Sequence, residues 1–225
     1  MEEALSAGLP LHGVLVSTSF GATDRGAALL ADIAGRALPL EEVPDRTFRE
    51  LADTDTPQGV LAVVEVPAWT LADVQPAPRA PVLVLDAVQD PGNVGTLLRT
   101  AFALGAAGAV LLRGSADLAN PKVMRSAMGA SFRLPTAAVD AAEFVAWCRR
   151  VEVEVWASAA DGAPLSRSAL PDRLALVVGN EGAGVRAELR ELAVRHVAIP
   201  LARGAESLNV AVAAGILLYE AVRGA

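Results

Sequence analysis

Three short polar stretches of the chain carry residue types that could bind a polar ligand and act on it. They run from Asn93 to Arg99, from Gly179 to Gly184 and from Ser207 to Asn209. Their side chains supply amide, carboxylate, hydroxyl and guanidinium groups, and their glycines let a ligand approach bare backbone. Neither of the two histidines lies in these stretches, so the chemistry predicted for them does not use a histidine base.

Each polar stretch follows a short apolar run that predicts a buried strand. These runs end near Leu85, Val178 and Ile199. From about Asn93 onwards, apolar residues recur at helical spacing as far as Gly105, which fits a helix stop. Five strands alternating with helices predict a mostly parallel sheet that is covered on both faces. Ligands on such sheets bind at the carboxyl ends of the strands, which is where the three stretches lie.

The first stretch disfavours a nicotinamide cofactor. Its turn holds only Gly92 and Gly95, three residues apart, instead of the G-x-G-x-x-G fingerprint. The acidic residue expected about twenty positions further on is missing, because the second strand runs into Arg113 and Gly114. The sequence also contains no G-x-x-x-x-G-K-[ST] loop, so a kinase or an ATPase is not predicted.

The composition limits the classes of protein to which this chain could belong. A chain of 225 residues with 53% hydrophobic content predicts an α/β globular protein of one or two domains. The longest apolar run, Ala101 to Leu112, is too short for a membrane span, and the acidic start does not resemble a signal peptide. The single cysteine, Cys148, permits no internal disulfide and favours the cytosol. One cysteine and two histidines cannot by themselves form a tetrahedral zinc site, so we expect chemistry without a metal.

The net charge of -7 ordinarily argues against nucleic-acid binding, but the charge is unevenly distributed. Residues 1–80 hold 12 acidic and 5 basic residues, whereas residues 81–225 hold 14 of each. Residues 91–139 carry five basic residues against Asp117 alone. The five are Arg99, Arg113, Lys122, Arg125 and Arg133. They predict either a solvated face or a patch that binds successive phosphates along a nucleic-acid backbone.

The chain divides into two predicted domains. Residues 1–66 form a small α/β unit with a helical start, a strand near Gly13 to Ser17, a helix over Thr23 to Ala34 and a strand at Val60 to Val66. Residues 67–81 contain four prolines and scattered polar residues, which is typical of a linker. The second domain occupies residues 82–225.

Three motifs around the polar stretches resemble, in order, those of the SpoU (TrmH) family of RNA ribose 2'-O-methyltransferases, in the SPOUT superfamily. The motifs are Asn93-x-Gly95-x-x-x-Arg99-Thr-Ala, Gly179-Asn-Glu181-Gly182-x-Gly184 and Ile199-Pro200-x6-Ser207-Leu208-Asn209-Val210. The segment Asn120-Pro-Lys-Val-Met-Arg125 is similar to that family as well. The similar regions together cover roughly residues 82–223.

The resemblance implies the SPOUT fold, in which the C-terminal part of a mostly parallel α/β domain forms a trefoil knot. It also implies a homodimer. Residues 1–66 are similar to the L30e-like RNA-binding domain that precedes the catalytic domain in larger family members. The usual opening strand of that domain is missing here, so we expect a version that is shortened at its N-terminus.

The resemblance further implies roles for individual residues. The catalytic set is Asn93, Arg99, Glu181, Ser207 and Asn209. The contacts to S-adenosylmethionine are Gly179, Asn180, Glu181, Gly182, Ile199, Leu201 and Leu208. The contacts to RNA are Arg99, Arg113, Lys122, Arg125 and Arg133. Simpler structural explanations stay open: Ser207 or Asn209 could cap the last helix, the glycines could be turn residues, and Ile199 and Leu208 could belong to the core.

We therefore expect a cytoplasmic enzyme that uses S-adenosylmethionine to methylate a ribose 2'-hydroxyl in structured RNA. Ribosomal RNA is favoured over transfer RNA, because a separate RNA-reading domain is more typical of family members that act on large RNAs. A guanidinium stays protonated in proteins, so Arg99 is expected to bind a phosphate and to stabilise developing alkoxide charge. The alternative is a non-catalytic RNA-binding module on the same fold.

Overall fold

The computed structural model describes residues 1–165 and 170–223, and the chain forms two compact units, Met1–Pro67 and Ala68–Ala225. In the first unit, strand β1 (Leu11–Ser17) lies between β2 (Leu40–Val43), which is parallel to it, and β3 (Val60–Val64), which is antiparallel. The helices of this unit are α1 (Glu2–Ser6), α2 (Asp24–Gly35) and α3 (Asp45–Leu51). Its core joins side chains of α1, β1 and α2, namely Leu5, Val14, Val16, Leu29 and Ile33.

The elements predicted for the first unit are confirmed as α1, β1, α2 and β3, with small differences at their ends. Strand β2 and helix α3 were not predicted. The sequence of β2 is Leu-Glu-Glu-Val, and three of its four residues are exposed. It therefore lacks the alternation of apolar and polar residues that indicates a strand, and its pairing with β1 decides its conformation.

The second unit contains a six-stranded sheet with the order β6-β5-β4-β8-β7-β9, in which every pairing is parallel. The strands are β4 (Val82–Asp86), β5 (Gly108–Leu112), β6 (Thr136–Val139), β7 (Glu154–Pro164), β8 (Leu174–Gly179) and β9 (Arg195–Ala198). The predicted parallel sheet is confirmed, but the expectation of five strands missed β6. That strand is four residues long and rich in alanine, a poor strand former.

Five helices cover this sheet: α4 (Pro91–Ala103), α5 (Pro121–Ala127), α6 (Ala141–Val151), α7 (Ala187–Leu192) and α8 (Val210–Val222). Alternate residues of β4 face opposite sides of the sheet. Leu83 and Leu85 pack in a cluster with side chains of α4 and α8, whereas Val82 and Val84 pack with Phe144 and other residues of α6. Both faces of the sheet are therefore buried.

The segment 67–81, predicted as a linker, contributes two side chains to the core of the second unit. Leu71 and Val74 are buried in the cluster that contains α6. The buried residues of α8 are mainly alanine and leucine, and they pack in the cluster on the other face. Among the helices that the structure describes, none has the length and apolar character needed to cross a membrane.

Helices α4 and α5 approach each other so closely that Gly95 has no room for a side chain. A Cβ atom on Gly95 would lie 2.5 Å from Ser126 Cβ and 2.5 Å from the carbonyl oxygen of Val123. Glycine in the middle of a helix costs about 1 kcal/mol relative to alanine. The glycine of the first motif is therefore explained by the packing of two helices.

We expect Gly95→Ala to lower the free energy of unfolding by about 1–3 kcal/mol, because the strain of overpacking exceeds the gain in helix propensity. Urea denaturation followed by circular dichroism measures the loss. Gly35→Ala in α2 is the matched control, because a Cβ at Gly35 would meet no atom within 4 Å. Equal urea midpoints for Gly95→Ala and the wild type would contradict the packing explanation.

Candidate active site

The first polar stretch forms the beginning of helix α4. Asp90 is the N-cap residue, and its Oδ1 accepts a hydrogen bond from the backbone N–H of Asn93 at 2.8 Å. Pro91 occupies the first helical position, where its missing N–H is not needed. Lys122 Nζ lies 3.4 Å from Asp90 Oδ2. These contacts place the Asn93 side chain on the first turn of α4, at the carboxyl end of the sheet.

The bond from Asn93 N–H, followed by the nearby Lys122 ammonium, holds the pKa of Asp90 below its ordinary value. The carboxylate is also favourably placed at the positive end of the α4 dipole. Asp90 is therefore ionised at neutral pH, and it fixes the helix end that carries Asn93.

The second polar stretch is a tight loop that leaves strand β8 at Gly179. The backbone of Asn180 and Gly184 exchanges two hydrogen bonds, of 3.1 and 2.9 Å, which close the loop. A Cβ on Gly179 would lie 2.2 Å from the carbonyl carbon of Gly184, so only glycine fits there. Asn180 Oδ1 accepts from the N–H groups of Gly182 and Ala183, and its Nδ2 donates to the carbonyl of Ala87. The loop is thus rigidly closed and attached to the segment that follows β4.

The third polar stretch leads from β9 into α8. Asn209 is the N-cap of α8, and its Oδ1 accepts from Ala211 N at 2.9 Å and from Val212 N at 3.3 Å. The capping role that the sequence left open for Ser207 or Asn209 belongs to Asn209. Ser207 is exposed and forms no side-chain hydrogen bond with the residues that the structure describes.

The three stretches meet through Asn93. Its Nδ2 donates to Glu181 Oε1 at 2.9 Å, and its Oδ1 accepts from Asn209 Nδ2 at 3.0 Å. The two partners are 88 and 116 residues away along the chain. The structure therefore joins three of the five predicted catalytic residues in one chain of hydrogen bonds, Glu181 to Asn93 to Asn209.

The other two predicted catalytic residues, Arg99 and Ser207, do not join these hydrogen bonds. Arg99 is exposed on α4, and in the described part of the chain its guanidinium forms no hydrogen bond or ion pair. Of the other predicted RNA contacts, Arg113, Lys122 and Arg125 are also exposed, and Arg133 is half-buried. Arg133 donates to the carbonyl of Gly129. Four of the five basic residues are therefore exposed, which fits either a phosphate-binding patch or a solvated face.

The segment from Ile199 to Leu208 has the chemistry needed to hold S-adenosylmethionine. Within described residues 200–208 the backbone forms one backbone hydrogen bond, from Ala205 N to Ala202 O, so most of its amides and carbonyls are open to a ligand. Leu201 and Leu208 are 38% and 39% exposed, so Leu208 is not a core residue, whereas Ile199 packs against the core. Open backbone groups beside apolar side chains suit an adenosyl group, which has polar edges and an apolar ring face.

Sequence reasoning missed an ion pair at the base of the loop that follows β8. Asp86 is buried at the end of β4, and Arg186 follows the loop after β8 and forms an ion pair with it. An acidic residue directly after a buried apolar run was a signal for Asp86. Arg186 lies outside the motifs, and nothing in the sequence around it indicates its partner.

Comparisons with known proteins agree with the site. Residues 80–219 match the family model described as SpoU rRNA Methylase family, and residues 1–69 match a model described as RNA 2'-O ribose methyltransferase substrate binding. The chain is 43% identical over 173 residues to the 23S rRNA (guanosine(2553)-2'-O)-methyltransferase RlmP of Bacillus subtilis (strain 168). That match covers 76% of this chain and 68% of the relative.

Two solved structures that contain the cofactor are similar to this chain. The AdoMet-bound rRNA methyltransferase from Sinorhizobium meliloti has a TM-score of 0.84 and 31% identity, with 98% of this chain and 82% of that chain covered. The SpoU methyltransferase AviRb from Streptomyces viridochromogenes, in complex with the cofactor AdoMet, has a TM-score of 0.83 and 30% identity, covering 98% and 85%.

We expect Asp90→Asn to lose a pH-dependent part of the stability while it keeps the cap, because asparagine is also a good N-cap residue. The pKa of Asp90 is lowered by folding, so its charge stabilises the protein above the unfolded value of about 3.9. That stabilisation is lost as the pH falls through the lower folded value. Urea denaturation of both proteins between pH 2 and 8 should show an advantage of about 0.3–1 kcal/mol for the wild type at neutral pH, which disappears in acid. An advantage that grows on acidification would contradict this role.

Proposed function

Because the chain belongs to the SpoU rRNA methylase family, we propose that it transfers a methyl group from S-adenosylmethionine to a ribose 2'-hydroxyl of ribosomal RNA. The family resemblance predicted from the three motifs is confirmed by the match over residues 80–219. The observation that carries the proposed activity is the hydrogen-bonded chain of Glu181, Asn93 and Asn209 at the carboxyl ends of the strands.

S-adenosylmethionine, when bound, supplies a methyl group on a sulfonium and leaves as a neutral thioether, so no general acid is needed. The task of the protein is to align the reacting ribose, which can lower a barrier by about 7–11 kcal/mol in favourable systems. We assign the cofactor contacts to the backbone of Gly179, Asn180 and Gly182 and to the segment with Ile199, Leu201 and Leu208. Because the chemistry needs no electrophilic metal, the site is proposed to work without one.

The hydrogen bonds that each side chain forms distinguish the roles of Glu181, Asn93 and Asn209. Both polar atoms of the Asn209 side chain are used within the protein, Oδ1 by the α8 amides and Nδ2 by Asn93. Asn209 therefore orients Asn93. Glu181 Oε1 accepts from Asn93, whereas Oε2 has no hydrogen-bond partner among the described residues. We propose that Glu181, together with the exposed hydroxyl of Ser207, orients the ribose hydroxyls.

Arg99 is proposed to bind the phosphate next to the reacting ribose and to stabilise the alkoxide as it develops. Its guanidinium is exposed and unpaired among the described residues, and it cannot accept a proton. The 2'-hydroxyl proton passes in this proposal to the phosphate or to water. Preorganised positive charge at a developing oxyanion is a large contribution to catalysis, of about 3–4 kcal/mol for one donor.

Several observations support ribosomal RNA as the substrate. The Bacillus subtilis relative is named for 23S rRNA, and the Sinorhizobium meliloti structure is named as an rRNA methyltransferase. The substrate-binding model matches residues 1–69, which supports an RNA-reading role for the first unit despite its acidic composition. We propose that the basic residues of the second unit contact the RNA backbone: Arg99, Arg113, Lys122, Arg125 and Arg133.

A homodimer belongs to the same proposal, and an apolar groove beside the site supports it. Val212, Ile216 and Tyr219 lie on one stripe of α8 and are 40–52% exposed. With Thr96 and Thr100 of α4 they line a groove of about 480 Å³ that also reaches Asn93 and Asn209. Three large apolar side chains in one exposed stripe are typical of a surface that another protein covers. We assign that surface to a second copy of this chain.

The finer features of the fold are proposals that rest on the family resemblance. They are the trefoil knot of the C-terminal part and the L30e-like character of residues 1–66. The role of residues 67–81 as a linker before the 82–225 domain is proposed from their four prolines and scattered polar residues, and a location in the cytoplasm is proposed from the single cysteine. The three-stranded sheet of the first unit is compatible with an L30e-like domain.

The enzymatic proposal predicts transfer of labelled methyl from S-adenosylmethionine to unmodified bacterial rRNA. We expect Arg99→Ala to lower the rate by about 100-fold or more, because the developing alkoxide loses its stabilising charge. Nuclease digestion followed by chromatography should place the label in a 2'-O-methyl dinucleotide, with transfer RNA assayed in a separate tube.

Arg150→Ala is the matched control, because Arg150 is an exposed arginine on α6, outside the motifs. It should methylate as the wild type does. Label in tRNA alone would overturn the choice of rRNA. A folded wild-type protein that binds RNA but neither binds S-adenosylmethionine nor transfers label would instead identify a non-catalytic RNA-binding module.

The dimer proposal predicts that Ile216→Asp combined with Tyr219→Asp converts the dimer to a monomer. Charged groups in a buried apolar interface should raise the dissociation constant by about 100-fold or more. Sedimentation velocity measures the mass. Val194→Asp is the control, because Val194 is 67% exposed and lies outside the groove. A wild-type monomer at micromolar concentration, or an unaffected dimer in the double variant, would refute this interface.

A further inference from the structure

Asp86 is a carboxylate in the interior of the second unit, and among the residues that the structure describes its hydrogen-bond and ion-pair partner is Arg186. The residue is 1% exposed. Its Oδ2 accepts from the Arg186 backbone N–H at 2.8 Å, and its Oδ1 accepts from Arg186 Nε at 2.5 Å. An ionised carboxylate in the interior is costly unless its oxygens are hydrogen-bonded or paired with a cation. Arg186 meets both requirements with one residue.

The same arginine connects three neighbouring strands. Asp86 ends β4, and Arg186 follows the loop that leaves β8. Arg186 Nη2 also donates to the carbonyl oxygen of Arg113, directly after β5, at 3.0 Å. Because β5, β4 and β8 are adjacent in the sheet, one guanidinium ties together the carboxyl ends of all three. The rigid planar fork of arginine suits this task, and the single ammonium of lysine does not.

The loop between β8 and Arg186 is closed by its own hydrogen bonds: Asn180 and Gly184 exchange two backbone bonds, and Asn180 Oδ1 accepts from Gly182 and Ala183. Residues 181–184 are all exposed, so no core packing fixes the apex that carries Glu181. At the base, Asn180 donates to the carbonyl of Ala87 and Val185 is buried. The far end of the loop is held by Arg186 on Asp86. The closed loop is therefore attached to the sheet at two places, through Asn180 with Val185 at its base and through the ion pair of Arg186 with Asp86.

An ion pair with a buried carboxylate is weak support for stability, because the cost of removing Asp86 and part of Arg186 from water offsets their attraction. The Asp86–Arg186 pair contributes little to stability, but it joins the chain segments at the ends of three strands. Its function is therefore to fix the geometry of those segments. We propose that Asp86 and Arg186 are positioning residues, which hold the loop 179–184 in the shape that binds the cofactor and that presents Glu181 to Asn93. This inference rests on the proposed function, in which that loop contacts S-adenosylmethionine.

Calorimetric titration of the full chain with S-adenosylmethionine tests the pair. We expect Arg186→Gln to raise the dissociation constant by about 10-fold to 100-fold, the range for a lost hydrogen bond between charged groups. Arg190→Gln is the matched control: Arg190 lies on α7, the helix whose N-cap residue is Arg186, and pairs with Asp161 at 3.1 Å, away from the loop. It should bind the cofactor as the wild type does, and RNA affinity in filter binding should change by less than about 2-fold in both variants.

Three further readouts separate positioning from general stability. Arg186→Lys keeps the charge and should restore part of the affinity. Asp86→Asn combined with Arg186→Gln should bind no more weakly than the weaker single variant, because the two residues act as one unit. Amide hydrogen exchange should become faster in residues 180–184 of Arg186→Lys and stay unchanged there in Arg190→Gln. This last measurement needs no cofactor and covers the case in which Arg186→Gln does not fold.

Distinct results overturn the two proposals. A wild-type protein that does not bind S-adenosylmethionine refutes the proposed function. If the wild type binds the cofactor, then a folded Arg186→Gln with wild-type affinity refutes the positioning role. Additive losses in the double variant, or unchanged exchange of the loop in Arg186→Lys, refute it as well.

Discussion

The register between β4 and β8 is the constraint on which the rest of the second unit depends. It sets Asp86 opposite Gly179, at the ends of two adjacent parallel strands in the middle of the sheet. Because parallel strands end at the same edge, the chain segments that leave them meet there. A shift of one residue would turn the side chains of β4 to the opposite faces, and Asp86 would no longer point at Arg186.

Two side chains that cap helices, Asp90 and Asn209, also position residues of the site. Helix ends leave unpaired backbone amides, and the side chains of Asp90 and Asn209 satisfy them at α4 and α8. The same two caps fix the helix ends that bring Asn93 and Asn209 together. The capping role of Asn209 is compatible with its proposed role in the site, since the side chain that caps α8 also donates to Asn93. The hydrogen-bonded chain itself consists of two neutral amides, Asn93 and Asn209, and the carboxylate of Glu181.

Close backbone approach explains two of the motif glycines, Gly95 and Gly179. Gly95 is required because α5 packs directly against α4, and Gly179 because the loop folds back on its own first residue. Both positions exclude a Cβ atom, and both bring backbone next to the site. The segment after β9 differs, because described residues 200–208 are exposed and form one backbone hydrogen bond among themselves. The loops that follow β4 and β8 are rigid, and the segment that follows β9 is open. We expect this combination when a cofactor is bound largely through main-chain groups.

The sequence by itself determined the class of fold, most of the elements and the family. Apolar runs located β4 and β8, helical spacing located α4, and three motifs in order identified the SpoU resemblance, because each of these signals depends on residues that are close along the chain. The weak strands β2 and β6 could not be found, since neighbouring strands impose their conformation. Only the tertiary structure decided that Asn93 joins Glu181 and Asn209, that Arg99 and Ser207 stand apart from them, and that Asp86 meets Arg186. Those contacts join residues about a hundred positions apart, and a hydrogen bond between them depends on the register of the sheet, which no local pattern encodes.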